Sequence, residues 1–258
     1  AVVNMPRIGY LSKSKEELFA KLNDMLELCY ESLELKRKAV ESNLNNGLYP
    51  YSKWYLENFN TYFSTVGENG MDECCLNFLG KDKGIGSVEG KQLAMEVMSF
   101  ITGKVNEFKT RSGNLYNHEQ VPAEGLSSRL AQADKKRFPD IITSGEGASV
   151  FYTGSTLLPA RYTEDLFESL DHQNDLQEQY SAGCVEHVFV GETLSTTTVK
   201  KLIKTIFTNY SLPYISITPT YSVCSIHNYI AGEHFECPQC KVELKSLELS
   251  LHALNGKH

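Results

Sequence analysis

Apolar residues along the chain keep two rhythms, one helical and one extended. Behind Ser14, the residues Leu18, Leu22, Met25, Cys29 and Leu33 recur at three- and four-residue steps and draw one stripe of a long helix. Ser14 with Glu17 is a capping-box pattern that opens it, and Gly47 with Pro50 just beyond marks its end. Ala94, Val97, Met98, Ile101, Val105 and Phe108 form a second stripe, preceded by a Gly-rich charged loop from Lys81 to Gly90. Shorter runs read as strands: Ala1 to Asn4, stopped by Pro6 and Gly9; Thr61 to Val66, leading into Gly67 and Gly70; Asn114 to Asn117; Cys184 to Val190; and Tyr214 to Thr218. A helix rich in Ser, Leu and Arg fits between Pro122-Ala123-Glu124-Gly125 and Phe138-Pro139. Phe151-Tyr152 ends a strand, and Thr153-Gly154-Ser155-Thr156 is a turn of small hydroxyl residues. Thr163 starts a helix to about Tyr180, and another spans Ser195 to Asn209. Strand and helix alternate, so an α/β fold with a parallel or mixed sheet wrapped by helices is expected.

Composition narrows the function classes. The 258 residues are 41% hydrophobic and 22% charged, ordinary for a chain that buries a real core. A net charge of −7 and a pI near 5.6 argue against a broad electrostatic grip on nucleic acid. No apolar run approaches the length of a membrane span. Seven cysteines without an export signal point to a reducing, cytoplasmic compartment. The chain opens Ala1-Val2-Val3-Asn4 with no initiator Met, as a piece of something longer would.

The last quarter carries the clearest chemistry. Cys224 and His227 form a C-x2-H pair, and Cys237 and Cys240 form a C-x2-C pair, with Gly232 and Pro238 suited to the turns. Two such pairs can wrap one tetrahedral ion, and soft thiolates favour zinc. The fourth ligand is either His227 or His234, which lies in the intervening arm.

Several segments, taken in order, resemble one known family. They are Val3-Asn4-Met5-Pro6-Arg7-Ile8-Gly9; Ser64-Thr65-Val66-Gly67 with Gly70-Met71-Asp72-Glu73; Asn114-Leu115-Tyr116-Asn117 with Pro122-Ala123-Glu124-Gly125; and Asp134 to Ile142. Tyr152-Thr153-Gly154-Ser155-Thr156, Gly191-Glu192, Ile217 to Cys224 and Gly232-Glu233-His234 complete the series. Their order and spacing are similar to the catalytic subunit of anaerobic (class III) ribonucleotide reductase, a glycyl radical enzyme.

The resemblance implies part of that family's ten-stranded α/β barrel over residues 1–219, with a small zinc-ribbon lobe and tail over 220–258. It also implies the chemistry, which is reduction of ribonucleoside triphosphates to 2′-deoxyribonucleoside triphosphates for DNA precursor synthesis. In the family a glycyl radical, installed by an iron–sulfur, S-adenosylmethionine-dependent activase, oxidises a finger-loop cysteine to a thiyl. An N-terminal cone domain binds ATP and dATP, and the full-length protein is a homodimer. Neither a membrane nor nucleic acid is an expected partner.

The resemblance assigns roles to particular residues. Asn4 takes the position of an amide that faces the substrate ribose, where an amide can donate to one hydroxyl and accept from another. Glu124 either handles the proton that departs with the 2′-hydroxyl or is a first-turn carboxylate favoured by a helix dipole. Thr153, Ser155 and Thr156 match the family's phosphate loop, with Gly154 where the family usually has Asn. Cys74, Cys75, Cys29 and Cys184 fall on apolar stretches and read as core thiols, and His118, His172 and His187 read as structural histidines. Two family features are not found. The finger-loop cysteine belongs before Ala1, and Ser250 stands where the radical glycine aligns, while Gly256 resembles a later segment. The expectation is a fragment or degenerate copy, inactive alone. The alternatives are a non-catalytic nucleotide-binding module or a zinc-ribbon interaction protein built on the same barrel.

Overall fold

The computed structural model describes residues 1–159, 162–191, 194–219, 221–232 and 234–245. Glu192, Thr220 and Glu233 of the quoted segments, and the tail from residue 246 with Ser250 and Gly256, lie outside the described residues. The chain opens with β1 (Val2–Asn4), but Pro6 does not stop it into a loop. Helix α1 (Met5–Leu11) follows at once, with Pro6 in the first turn, where a missing N–H breaks no intrahelical bond. Asn4 is its N-cap and accepts the Arg7 N–H at 3.4 Å. α2 (Lys15–Asn45) starts at the expected box: Ser14 accepts the Glu17 N–H, and the Glu17 carboxylate reaches back to the Lys13 N–H at 2.9 Å. Its buried stripe is Leu18, Leu22, Leu26 and Cys29, whereas Met25 is 39% exposed. Pro50 opens a further helix, α3 (Pro50–Leu56), rather than only following one.

β2 (Phe63–Asn69) runs past Val66, because Gly67 to Asn69 pair with β1. α4 (Met71–Leu79) holds Cys74 and Cys75 fully buried, and burial pushes the Cys74 thiol up to about 12, as befits a core thiol. Gly9 is the crossing point of α1 on α4: a Cβ there would sit 2.5 Å from the Cys74 carbonyl oxygen. α5 (Val88–Ser112) buries every residue of its expected stripe, and β3 (Leu115–His118) follows. β1, β2 and β3 form a parallel sheet in that order, with Asn4 opposite Asn69 and Val66 opposite His118. One face of the sheet, with Val3, Val66 and Tyr116, packs into a single core with the stripes of α2 and α5.

α6 (Glu124–Arg137) and α7 (Leu166–Gln177) complete this part of the chain, α7 being capped at Asp165 rather than starting at Thr163. Phe151 makes one antiparallel bridge to Ser144 instead of ending a strand. β4 (Glu186–Val190), α8 (Thr196–Asn209) and β5 (Ile215–Pro219) lie where strand, helix and strand were expected, and β6 (Tyr221–Cys224) and β7 (Asn228–Ala231) are two further strands in the stretch read only as a zinc lobe. β4 and β5 make a two-stranded sheet, and β6 and β7 an antiparallel hairpin. The chain divides into two compact units: Ala1–Glu186 with Ser211–Tyr214, and His187–Tyr210 with the chain from Ile215 onward. Among the described residues, no helix is long and apolar enough to cross a membrane.

Candidate functional site

In the first unit, β1 and β2 end level with each other at Asn4 and Asn69. The carboxyl edge of a parallel sheet is where α/β folds gather their ligand-facing groups. Three buried carboxylates tie distant segments to this edge.

Asp134, on α6, is fully buried. Its Oδ2 accepts from the Asn4 amide at 2.8 Å and the Tyr152 hydroxyl at 2.9 Å, and its Oδ1 accepts from Arg7 Nε at 2.7 Å and Nη2 at 2.5 Å. Burial, and then the charge of Asp134, raise the Tyr152 phenol. Glu73, on α4, accepts the Thr153 N–H at 2.9 Å, the Thr153 hydroxyl at 2.9 Å and the Ser144 hydroxyl at 2.7 Å. Burial outweighs these donors and raises the Glu73 carboxyl above its ordinary range. Glu68, on β2, lies 2.6 Å from His118 Nε2 and accepts from the Tyr180 hydroxyl, which also meets Thr156 Oγ1 at 3.1 Å. His118 Nδ1 is 3.1 Å from Thr102 Oγ1, whose own proton goes to the Gln179 carbonyl.

Gly70 explains why these segments can meet. It has φ +79° and caps α4, and a Cβ there would lie 2.4 Å from Pro6 Cγ and 3.2 Å from Tyr152 Cβ. Its N–H donates to the Thr153 carbonyl, and the Met71 N–H donates to the Ser155 carbonyl.

The residues singled out from sequence take the following places. Asn4 stands at the strand edge with its amide on Asp134 and its oxygen on the Arg7 N–H, which leaves one N–H and one lone pair. Thr153, Ser155 and Thr156 are all buried beside that edge, and each hydroxyl has a partner within the protein. Ser155 is held at φ +44°, a left-handed conformation, by bonds from its hydroxyl to the Glu68 carbonyl and from the Val121 N–H to its Oγ, each 3.0 Å. Glu124 is the exposed first residue of α6. Sequence reasoning gave no role to Glu68, Glu73, Asp134 or Tyr180, and read His118 as structural. The available signal was three acids inside apolar or motif-bearing stretches, Phe63–Asn69, Met71–Leu79 and the segment around Asp134.

In the second unit Cys224, His227, Cys237 and Cys240 converge, with all their ligand atoms within 4.8 Å of one another. Cys224 Sγ is 3.6 Å from Cys240 Sγ, and His227 Nδ1 is 3.4 Å from the sulfurs of Cys237 and Cys240. These spacings match the edges of a tetrahedron around one ion with bonds of about 2.3 Å to sulfur. His227, not His234, occupies the fourth corner, and its Nε2 lies 3.1 Å from Glu243, the outer carboxylate typical of a ligating imidazole. N–H groups of His227 and Ile226 aimed at its sulfur draw the Cys224 thiol down to about 6. Burial, and then the neighbouring sulfurs, push Cys240 up to about 12.

The fold defines the class. Solved structures of the anaerobic ribonucleotide reductase from Thermotoga maritima superpose on the chain. One, with glycerol in the active site, has a TM-score of 0.76 at 23% identity, over 93% of this chain and 39% of that one. Another, in complex with dATP and CTP, has a TM-score of 0.74 at 22% identity, again over 93% and 39%. The chain therefore has the fold of part of that barrel and spans about two fifths of those proteins. No curated protein sequence matches it. The family model of the anaerobic ribonucleoside-triphosphate reductases matches residues 1–249, and the chain belongs to that family.

Proposed function

We propose that this chain forms the substrate-holding wall of an anaerobic ribonucleoside-triphosphate reductase, residues 1–219 as barrel and 220–258 as the zinc lobe. The observation that carries the proposal is the junction at Asp134 and Glu73, which brings residues 4–7, 70–73 and 152–156 to one edge of a parallel sheet. Each turnover replaces the ribose 2′-hydroxyl by hydrogen, releasing water, with two electrons and two protons drawn from an external reductant. The thiyl and glycyl radicals supply the hydrogen-atom chemistry when present. The residues of this chain bind and orient. Asn4 addresses the sugar with its remaining N–H and lone pair. The 153–156 loop, rigidly seated on Glu73 and Glu68, offers its backbone to the phosphates. Glu124, exposed at the head of α6, handles the proton that leaves with the hydroxyl. Zinc held by Cys224, His227, Cys237 and Cys240 braces the lobe. An activase, a second copy of the full-length protein and a reducing compartment, which suits seven cysteines with no disulfide among the described residues, complete the setting.

Calorimetric titration of the chain with CTP and with ATP tests the reading. Saturable binding competed by inorganic triphosphate is expected, and a chain that binds no ribonucleoside triphosphate refutes it. Neither the finger-loop cysteine nor the radical-glycine loop is recognised in this sequence, so the chain mixed with activase and reductant is expected to form no deoxyribonucleotide. Turnover in that mixture would overturn the expectation.

A further inference from the structure

Asn69 ends β2 and is 1% exposed, yet among the described residues neither its Nδ2 nor its Oδ1 meets a hydrogen-bond partner. A buried amide in that state is costly, because it has given up water for nothing. Its position is specific. Asn69 lies opposite Asn4 in the parallel ladder, so the two side chains project from the same face of the sheet. That face differs from the helix-covered one: Val2, Phe63 and Leu115 share it, but toward the strand ends it carries Asn4, Thr65, Gly67, Asn69 and Asn117, and Asn117 also has an unpartnered Oδ1. At Gly67 the face is closed by the chain itself, since a Cβ there would meet Val121 Cγ2 at 2.2 Å. The buried amide without a partner thus stands at the strand end. The residues just after Asn69 carry the loop: Gly70 and Met71 donate to the carbonyls of Thr153 and Ser155. A ligand with its phosphates on 153–156 therefore has its sugar beside Asn69.

We propose that Asn69 is a specificity-determining residue whose amide hydrogen-bonds the adjacent hydroxyls of a ribose. Asn4, by contrast, is largely committed to Asp134 and the α1 cap. An amide offers one donor and one acceptor in a fixed plane, which matches a pair of neighbouring hydroxyls, one accepting and one donating. The inference rests on the reading of the chain as a ribonucleotide-binding wall.

The test compares CTP with its 2′,3′-dideoxy analogue on the wild-type chain, Asn69→Leu and Asn69→Asp, by calorimetry, with thermal melts of each. The wild type is expected to favour CTP by about tenfold or more, the worth of a well-made buried hydrogen-bond pair. Asn69→Leu is expected to lose that preference, and Asn69→Asp, which keeps the acceptor but not the donor, is expected to reduce it. In the free chain the leucine variant is expected to melt no lower than the wild type, because it removes polar atoms that have no partner among the described residues. Asn69→Asp keeps the size and serves should the leucine variant fail to fold. A CTP preference unchanged in the variants overturns the inference and leaves the family reading standing. So does a leucine variant that melts several degrees lower, since the amide is then bonded within the fold. A wild-type chain that binds no ribonucleotide overturns both readings.

Discussion

Removing Asp134 is the most direct perturbation of the junction. In Asp134→Ala, Tyr152 loses its hydroxyl partner in a buried position, Asn4 loses an amide bond, and Arg7 loses its counter-charge at 2.5 Å. Breaking a fully buried charge pair costs about 3–5 kcal/mol. The Arg7 side chain is 36% exposed, however, so its cation regains water and that figure falls to about 2 kcal/mol. A stranded buried hydroxyl adds about 1–2 kcal/mol. The total of about 3–4 kcal/mol lowers the urea midpoint at unchanged slope, followed by near-ultraviolet circular dichroism. Asp134→Asn keeps one acceptor for Tyr152 and is expected to cost about half as much. Combined with Arg7→Met, it is expected to show a coupling of about 1–2 kcal/mol in a double-mutant cycle. A loss below about 0.5 kcal/mol in Asp134→Ala, the range of ordinary surface changes, would refute the junction as a structural node.

The remaining predictions concern a carboxyl, a glycine and the metal. Glu186, buried and bonded to Ser169 and Gln177, has its carboxyl raised by burial from 4.5 to about 7. The folded state therefore binds the proton more tightly than the unfolded one, so this group's contribution to stability falls as pH rises from 4.5 to about 7 and is flat beyond. Urea denaturation across that window is expected to lose up to about 3 kcal/mol through this group, and Glu186→Gln is expected to flatten the profile. Gly9→Ala drives a methyl into the Cys74 backbone, which cannot rotate away, and is expected to cost about 2–3 kcal/mol in the same assay. Elemental analysis is expected to find one zinc per chain, lost in Cys237→Ser and Cys240→Ser. Chelation is expected to erase amide-exchange protection over β6 and β7, and a chain that keeps that protection without metal contradicts the assignment.

What the sequence made legible follows from the range over which each signal acts. Local signals read well: the Ser14 box, the α5 stripe and the two Cys/His pairs that converge are each set within a few residues. Pro6 misled, because the same ring that ends a strand also begins a helix, and only the cap at Asn4 decides between them. Met25 misled for a related reason, since the buried stripe of α2 runs through Leu22, Leu26 and Cys29 and leaves Met25 at its margin. The carboxylate nodes were not legible at all. Asp134 looks like one more acid in Asp134-Lys135-Lys136-Arg137 until the fold puts Arg7 and Tyr152 beside it. Likewise His227 and His234 stood level as ligands until the hairpin turned one of them inward.

The three nodes also set a timetable for synthesis. Asn4 finds Asp134 across 130 positions of chain, and Glu68 finds Tyr180 across 112. At ribosomal rates of about 5–20 residues per second, β1 waits on the order of ten seconds for its counterpart to emerge. Loop closure over such spans is entropically late, so helices α2 and α5 collapse first and the ligand edge forms last. During that interval β1 and β2 pair with their polar strand ends still lacking the Asp134 contact. A nascent chain of this design has its greatest need of a chaperone before the residues that define its chemistry have left the ribosome.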